Sequence, residues 1–168
     1  MKKDLAIIFG LVLVIVVLII FGRGFSSGQF INQTATDSAE TQKKESTQVV
    51  IKDLTTKVKI ADDPKEHQAG LSDYSSLALD EGVFFVFDQS KRHIFWMKDM
   101  DFAIDIIWID EAKKIVDIAQ NVPPEPNKSD KELTRYAPKS DARYVLEINA
   151  GLSALHNFQV GDQVSFEL

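Results

Sequence analysis

Four charged residues lie inside apolar stretches in the second half of the chain. Lys98 and Asp105 interrupt the stretch FWMKDMDFAIDIIWID, and Arg143 and Glu147 belong to RYVLEI. Strand alternation places Asp105 on an apolar face, where it is expected to be at least partly buried. A buried carboxylate without a partner is strongly unfavourable or takes up a proton, so Asp105 should have a partner. The candidates are Lys98, Arg143 and backbone N–H groups at a β-bulge.

These carboxylates admit a structural and a catalytic interpretation. The structural one is favoured: Asp105 fixes strand register, and Glu147 pairs with Arg143 on the same strand face. The catalytic one makes Asp105 and Glu147 an acid and base of the glycosidase kind. That role requires both carboxylates in one open cleft, about 5–9.5 Å apart.

A ligand site without catalysis is the preferred functional hypothesis. Trp96 would stack on the ligand, and Lys98 and Arg143 would hold a polar or anionic group. Asp105 would orient Lys98, and Asn121, in the stiff segment NVPPE, would form one wall. These five side chains are expected to converge on one accessible concavity.

Several classes of function lack the residues that they require. The chain has no cysteine, and His67, His93 and His156 lie far apart, so no metal site is predicted. No phosphate loop, dinucleotide motif or serine-nucleophile motif is present, and no cofactor is expected. A net charge of −6 without a basic stripe argues against nucleic acid. The chain is therefore not expected to be an enzyme of a familiar kind.

The N-terminal part of the sequence predicts a membrane anchor. Every residue from Leu5 to Phe21 is apolar, and Lys2 and Lys3 precede this run. We expect residues 1–4 in the cytoplasm, 5–22 across the membrane and the remainder outside the cytoplasm. A cleaved signal peptide is the alternative, although its apolar region is usually shorter. Residues 23–47 are polar and predict a flexible linker.

Residues 48–168 predict one mainly β (or α+β) domain. Apolar runs separated by turn residues predict strands, and two short helices are expected, at 63–72 with Asp63 as N-cap and at 150–158. Several runs are apolar on both faces, which favours a small, mostly antiparallel β-barrel. The predicted strand regions are 49–61, 83–87, 93–98, 102–109, 114–119, 143–148 and 163–168.

Three stretches of this domain resemble an uncharacterised family of bacteria and archaea. FWMK followed by DIIWID, then RYVLEINAG and VGDQVSFEL, is similar to "domain of unknown function 192". The resemblance implies a compact, exported β-rich domain with no agreed activity. The chain departs from the family pattern at Tyr74, Asp99 and Ala103, where Arg, Asn and Pro are common.

Together these observations favour a membrane-anchored, extracytoplasmic binding module that is not an enzyme. An envelope glycan or another protein would be its partner. The first alternative is an enzyme that acts on an envelope glycan through Asp105 and Glu147. The second is a structural partner of another membrane protein, which would present an exposed apolar patch.

Overall fold

The protein is described by a computed structural model over residues 47–168, and it is mainly β, as predicted. Seven strands form one sheet in the order β5-β4-β6-β3-β2-β1-β7. All neighbouring strands are antiparallel except β2 and β3, which are parallel. The elements in chain order are β1 (Thr47–Ile51), β2 (Leu54–Ala61), α1 (Pro64–Ala69), β3 (Glu81–Lys91), β4 (Ile104–Ile109), β5 (Ile115–Val122), β6 (Ala142–Asn149), α2 (Leu152–Leu155) and β7 (Val164–Ser165).

The sheet is a curled half-barrel rather than a regular closed barrel. All seven strands contribute side chains to one apolar cluster, the inner core, which includes Val49, Phe84, Ile107 and Leu146. The two edges of the sheet meet at one end, where Lys114 and Gln163 form an isolated bridge. The sheet therefore curls around the inner core and leaves its opposite face to be covered by other segments.

A second apolar cluster, the outer core, covers that opposite face. Phe85, Ile106 and Trp108 contribute to it from the sheet, and Met97 and Met100 contribute from the connection between β3 and β4. All six residues of β4 are buried, as the sequence predicted from its two apolar faces. The double burial follows from a sheet that is covered on both sides.

Helix α1 follows the sequence prediction closely. The Asp63 carboxylate caps its N-terminus by accepting a hydrogen bond of 2.8 Å from the backbone N–H of Glu66. Pro64 occupies the first turn, and Gly70 ends the helix at φ +48°. The second helix is shorter than expected, because α2 comprises four residues of the predicted 150–158.

Two strand predictions are corrected. The run at 49–61 is a hairpin of β1 and β2, which reverses at Lys52 with φ +54°. The segment 93–98 is not a strand, since only Phe95 pairs, in an isolated bridge to Tyr136. The alternation of inward and outward side chains in this segment has a different cause. Phe95 and Met97 pack on the outer core, while Trp96 remains exposed.

The predicted membrane anchor at residues 5–22 and nearly all of the predicted linker at 23–47 lie outside the described residues. Residue 47 begins β1. Neither of the two helices between residues 47 and 168 has the length and apolarity that a bilayer crossing requires.

Close packing of β3 on β6 predicts that Gly82→Ala destabilises the domain. A Cβ at this position would lie 2.6 Å from the backbone oxygen of Glu147, so the two strands would have to separate. We expect a loss of about 2 kcal/mol or more in the free energy of unfolding, measured by urea denaturation. Gly161→Ala is the control, with only a backbone cost of about 1 kcal/mol, because its Cβ would meet nothing within 4 Å. Equal losses in the two variants would contradict this packing argument.

Candidate functional site

The Asp105 carboxylate is fully buried and accepts four hydrogen bonds. Oδ1 accepts from the backbone N–H groups of Asn121 at 2.7 Å and Gly151 at 3.1 Å. Oδ2 accepts from the backbone N–H of Ser153 at 2.9 Å and from its hydroxyl at 2.7 Å. Of the partners considered from the sequence, a backbone N–H at a bulge is observed, that of Asn121, and the other three donors lie at the start of α2.

Local backbone geometry brings these donors to Asp105. The β4–β5 register shifts between Ile104 and Ile106, so that β5 bulges opposite Asp105. Asn121 lies in this bulge at φ +53°, and Gly151 is the N-cap residue of α2 at φ +86°. Asp105 thereby joins β4, the bulge of β5 and the start of α2, which is a structural role.

The other predicted ligand-binding residues do not gather around Asp105. The Lys98 ammonium contacts both carboxylate oxygens of Asp130 at 2.7 Å, which raises the pKa of Lys98. Arg143 pairs with Glu111 across 3.3 Å, not with Glu147. Asn121 is exposed at the bulge of β5. The five predicted side chains therefore do not form one concavity, and Asp105 does not orient Lys98.

Asp105 and Glu147 also point to opposite faces of the sheet. Asp105 pairs in register with Ile148, whose side chain belongs to the inner core. Glu147 pairs with Ile106, whose side chain belongs to the outer core. Because directly opposed residues of an antiparallel pair share a face, the two carboxylates lie on different sides of the sheet. The glycosidase-like hypothesis loses the shared cleft that it required.

A cavity of about 400 Å³ lies on the outer face of the sheet, above Glu147. Its wall combines residues from α1, from β3 and from the segment after β3. Trp96 and Lys98, two of the five residues predicted from the sequence, take part in the lining. The residues that give the cavity its chemical character are His67, Phe85, Phe87, His93, Trp96 and Glu147.

Glu147 is the one acidic side chain in this lining. It is 6% exposed, and its Oε2 has no hydrogen-bond partner among residues 47–168. Burial raises the pKa of Glu147 to about 8, so the carboxyl group is largely protonated at neutral pH. Gly70 keeps the space beside it open, since a Cβ at that position would lie 3.5 Å from Oε2.

Aromatic rings form much of the wall. Phe87 stacks on His93 with ring centroids 3.5 Å apart, and its ring lies 4.5 Å from that of His67. Burial lowers the pKa of His93, which keeps its imidazole neutral near pH 7. Trp96 is 43% exposed, and the guanidinium of Arg135 lies over its ring at 4.3 Å. The result is an apolar, aromatic cavity with a single buried carboxyl group.

Sequence reasoning underestimated Glu147 and missed most of the aromatic wall. The available signal was the position of Glu147 in an apolar strand, and its assignment to an ion pair with Arg143 concealed it. In the sequence, Phe85 and Phe87 have the pattern of ordinary strand residues, and His67 lies in a predicted helix. These residues become neighbours only through the sheet and the crossover containing α1.

One acidic group among the described residues has the spacing of a metal site, but helix capping accounts for it. Carboxylate oxygens of Asp62, Asp63 and Glu66 lie within 4.8 Å of one another. Asp63 caps α1, and Glu66 accepts a hydrogen bond of 3.2 Å from the backbone N–H of Asp62. We therefore assign no metal to this group.

The structural role of Asp105 predicts that Asp105→Asn is strongly destabilising. The amide NH₂ cannot accept the hydrogen bonds that one carboxylate oxygen now accepts, so buried donors lose their partners. We expect a loss of about 3 kcal/mol in the free energy of unfolding by urea denaturation. The control Asp101→Ala, at an exposed position, should change stability by less than about 0.5 kcal/mol. A loss as small as that control at Asp105 would contradict the assignment.

Burial of Glu147 predicts a specific pH dependence of stability. The unfolded chain loses this proton near pH 4.5, whereas the folded domain keeps it up to about pH 8. Because the folded state binds more protons in this interval, rising pH lowers the free energy of unfolding, by up to about 1.4 kcal/mol per pH unit.

Glu147→Gln removes this titration and retains the size of the side chain. Its stability relative to the wild type should therefore increase between pH 5 and pH 8 and level off above pH 8. Urea denaturation of both proteins at several pH values measures the difference in their free energies of unfolding. The contributions of all other titratable groups cancel in this difference. A difference that stays constant with pH would show that Glu147 titrates normally.

The sequence matches a family of uncharacterised proteins. A model of the DUF192 family, described as an uncharacterized ACR, matches residues 47–166. UPF0127 proteins of Thermococcus gammatolerans and Thermococcus sibiricus are 32% and 28% identical to this chain over 76 residues. The aligned region covers 45% of this chain and 42% of each relative, so the chain spans less than half of their length.

Two solved structures share the fold of this domain. A protein of unknown function from Novosphingobium aromaticivorans is similar with a TM-score of 0.64 and 25% identity, over 70% of this chain and 83% of that chain. A putative transcription regulator from Sinorhizobium meliloti has a TM-score of 0.63 and 24% identity, over 71% and 91%. Because the family model covers most of the chain, this protein belongs to the DUF192 family.

Proposed function

We propose that this protein is a non-catalytic binding module, anchored in the membrane through residues 5–22, with its domain outside the cytoplasm. The cavity above Glu147 is its ligand site. The observation that carries the proposal is a cavity of about 400 Å³ with aromatic walls and a buried, unpartnered carboxyl oxygen. The anchor rests on the apolar run that follows Lys2 and Lys3.

The cavity has the features of a small-molecule site. Such sites are concave, about 300–1,000 Å³ in volume, and mostly apolar with a few polar groups that orient the ligand. Aromatic side chains supply the apolar surface here, and Glu147 supplies a polar group. Burying Glu147 without a partner is costly for the free protein, so a ligand that provides a hydrogen bond recovers part of that cost.

Two features favour binding over catalysis. Asp105 cannot act as an acid or base in the cavity, because it faces the other side of the sheet. Its two oxygens also accept four hydrogen bonds. The lining histidines are also held by backbone carbonyl oxygens: His67 Nε2 lies 3.1 Å from that of Ala61, and His93 Nε2 lies 3.0 Å from that of Gln89. These histidines shape the cavity and orient a ligand rather than transfer protons.

An amide NMR titration tests the proposal. The full-length chain in detergent is titrated with fragments of envelope glycans and peptides and with small aromatic molecules. We expect shifts to cluster at residues that line the cavity, and Trp96→Ala to weaken binding at least about fivefold, because part of the stacking surface is lost. Leu155→Ala is the control, since Leu155 is exposed and lies outside this lining. A flat response to the whole panel would overturn the proposal.

A further inference from the structure

We propose that the cavity recognises an organic cation, with an ammonium nitrogen beside the Glu147 carboxylate and a hydrocarbon group against the aromatic wall. This inference rests on the proposed function and names the ligand class of the same site. The nitrogen would be a primary or a methylated ammonium, because both present a positive charge to a carboxylate and to aromatic rings.

The first argument is the position of Glu147. Its side chain is more than nine-tenths buried, lines the cavity, and leaves Oε2 without a partner among residues 47–168. Gly70 preserves the opening beside that oxygen, because any larger residue would place a Cβ 3.5 Å from Oε2 and 3.3 Å from Phe85. The site therefore offers an acceptor and the space for a donor.

The second argument concerns the positive charges nearby, none of which pairs with Glu147. The Arg135 guanidinium lies over the Trp96 ring at 4.3 Å and donates a hydrogen bond to the backbone oxygen of Asp130. The Lys98 ammonium is held by both oxygens of Asp130. Arg143 precedes Glu147 on the same strand face, yet its guanidinium pairs with Glu111.

The two histidine rings in the lining contact backbone carbonyl oxygens rather than Glu147. His67 Nε2 lies 3.1 Å from the carbonyl oxygens of both Ala61 and Val86. His93 stays neutral near pH 7 because burial lowers its pKa. From the strands on either side, Val83 and Ile106 oppose Glu147 with apolar side chains. Residues 47–168 thus contain a buried carboxyl group, and none of the cations in this part of the chain pairs with it.

The third argument is the chemistry of the wall. Aromatic faces carry partial negative charge and attract cations, most strongly where water is excluded. An anionic ligand would meet the carboxyl group, and Lys98, the one ammonium in the lining, is already paired with Asp130. A neutral ligand could accept or donate one hydrogen bond, but the ionised form of Glu147 would not attract it by charge. A cation benefits from both the carboxylate and the rings, and the net charge of −6 also favours its approach.

Cation binding must release a proton below about pH 8. In this range the free protein holds Glu147 as the neutral acid, because burial raises its pKa. The bound state pairs the carboxylate with the ammonium, so that R–NH₃⁺ and protein–COOH give the ion pair and H⁺. Affinity should therefore rise about tenfold from pH 6 to pH 7, about fivefold from pH 7 to pH 8, and then level off.

Matched probes separate charge from shape. We use 2-phenylethylamine, its trimethylated ammonium, the neutral 2-phenylethanol and the anionic 3-phenylpropionate, with the full-length chain in non-ionic detergent. Amide NMR locates the site, and calorimetry in two buffers of different ionisation enthalpy counts protons. We expect an ammonium probe to bind at least about tenfold more tightly than the alcohol at pH 8, with release of one proton at pH 7. Whichever ammonium binds more tightly identifies the preferred nitrogen.

Three variants make the test specific to Glu147. Glu147→Gln should lose the preference for the cation and the dependence of affinity on pH. Glu147→Asp should bind more weakly but keep that pH dependence, because it retains a carboxylate. Glu167→Gln removes an exposed carboxylate outside the cavity lining and should leave both properties unchanged. If Glu147→Gln does not fold, the pH dependence in the wild type and in Glu147→Asp decides the question.

The outcomes distinguish this inference from the proposed function. If the alcohol shifts the amide resonances of the cavity residues and binds as tightly as the ammonium probes, the site is real but the cation inference is overturned. Affinity that does not change between pH 6 and pH 8 overturns it as well. If none of the four probes shifts these amide resonances, the cation inference fails. If the glycan and peptide titration also causes no shifts, the proposed ligand site is rejected as well.

Discussion

The Asp105 carboxylate is the constraint on which the arrangement of this domain depends. It accepts hydrogen bonds from the bulge of β5 and from the start of α2, two segments that are distant in sequence. The bulge shifts the register of β5 on β4, and α2 places Leu152 in the inner core. Because register decides which face each side chain occupies, this one carboxylate helps to define both cores.

Glu147 shows how a second carboxylate in a similar strand acquires a different role. It lies one residue from Ile148, which pairs with Asp105, and strand alternation sends it to the opposite face. There it meets apolar rings, and no N–H group among residues 47–168 donates to Oε2. Burial raises the pKa of Glu147 to about 8. Asp105 accepts hydrogen bonds from backbone N–H groups and the Ser153 hydroxyl and supports the fold, whereas Glu147 is the group that we propose for ligand binding. The chemistry of each carboxylate follows from the donors around it.

The outer face of the sheet creates the cavity because irregular segments, not strands, cover it. Helix α1 ends at Gly70 and brings His67 against Phe87. The segment after β3 returns across the same face, with Phe95 packed inward and Trp96 exposed. A covering made of such segments leaves gaps that a second sheet would fill. The proposed ligand site is therefore a consequence of how this half-barrel covers its outer face.

The sequence by itself determined the elements and the family. Apolar runs and turn residues predicted a mainly β domain, Asp63 and Pro64 predicted α1, and the FWMK and DIIWID motifs indicated DUF192. These features depend on local periodicity and local hydrogen bonds, which a single sequence contains. The run at 93–98 was misjudged because a covering segment can alternate apolar and polar residues as a strand does.

Only the tertiary structure decided which charged residues meet. Lys98 was expected near Asp105 but pairs with Asp130, and Arg143 was expected near Glu147 but pairs with Glu111. Each of these choices depends on loop paths and strand register that link residues more than 30 positions apart. The sequence therefore specified which residues are charged and buried, and the three-dimensional packing assigned the partners, because long-range contacts leave no local signal in one chain.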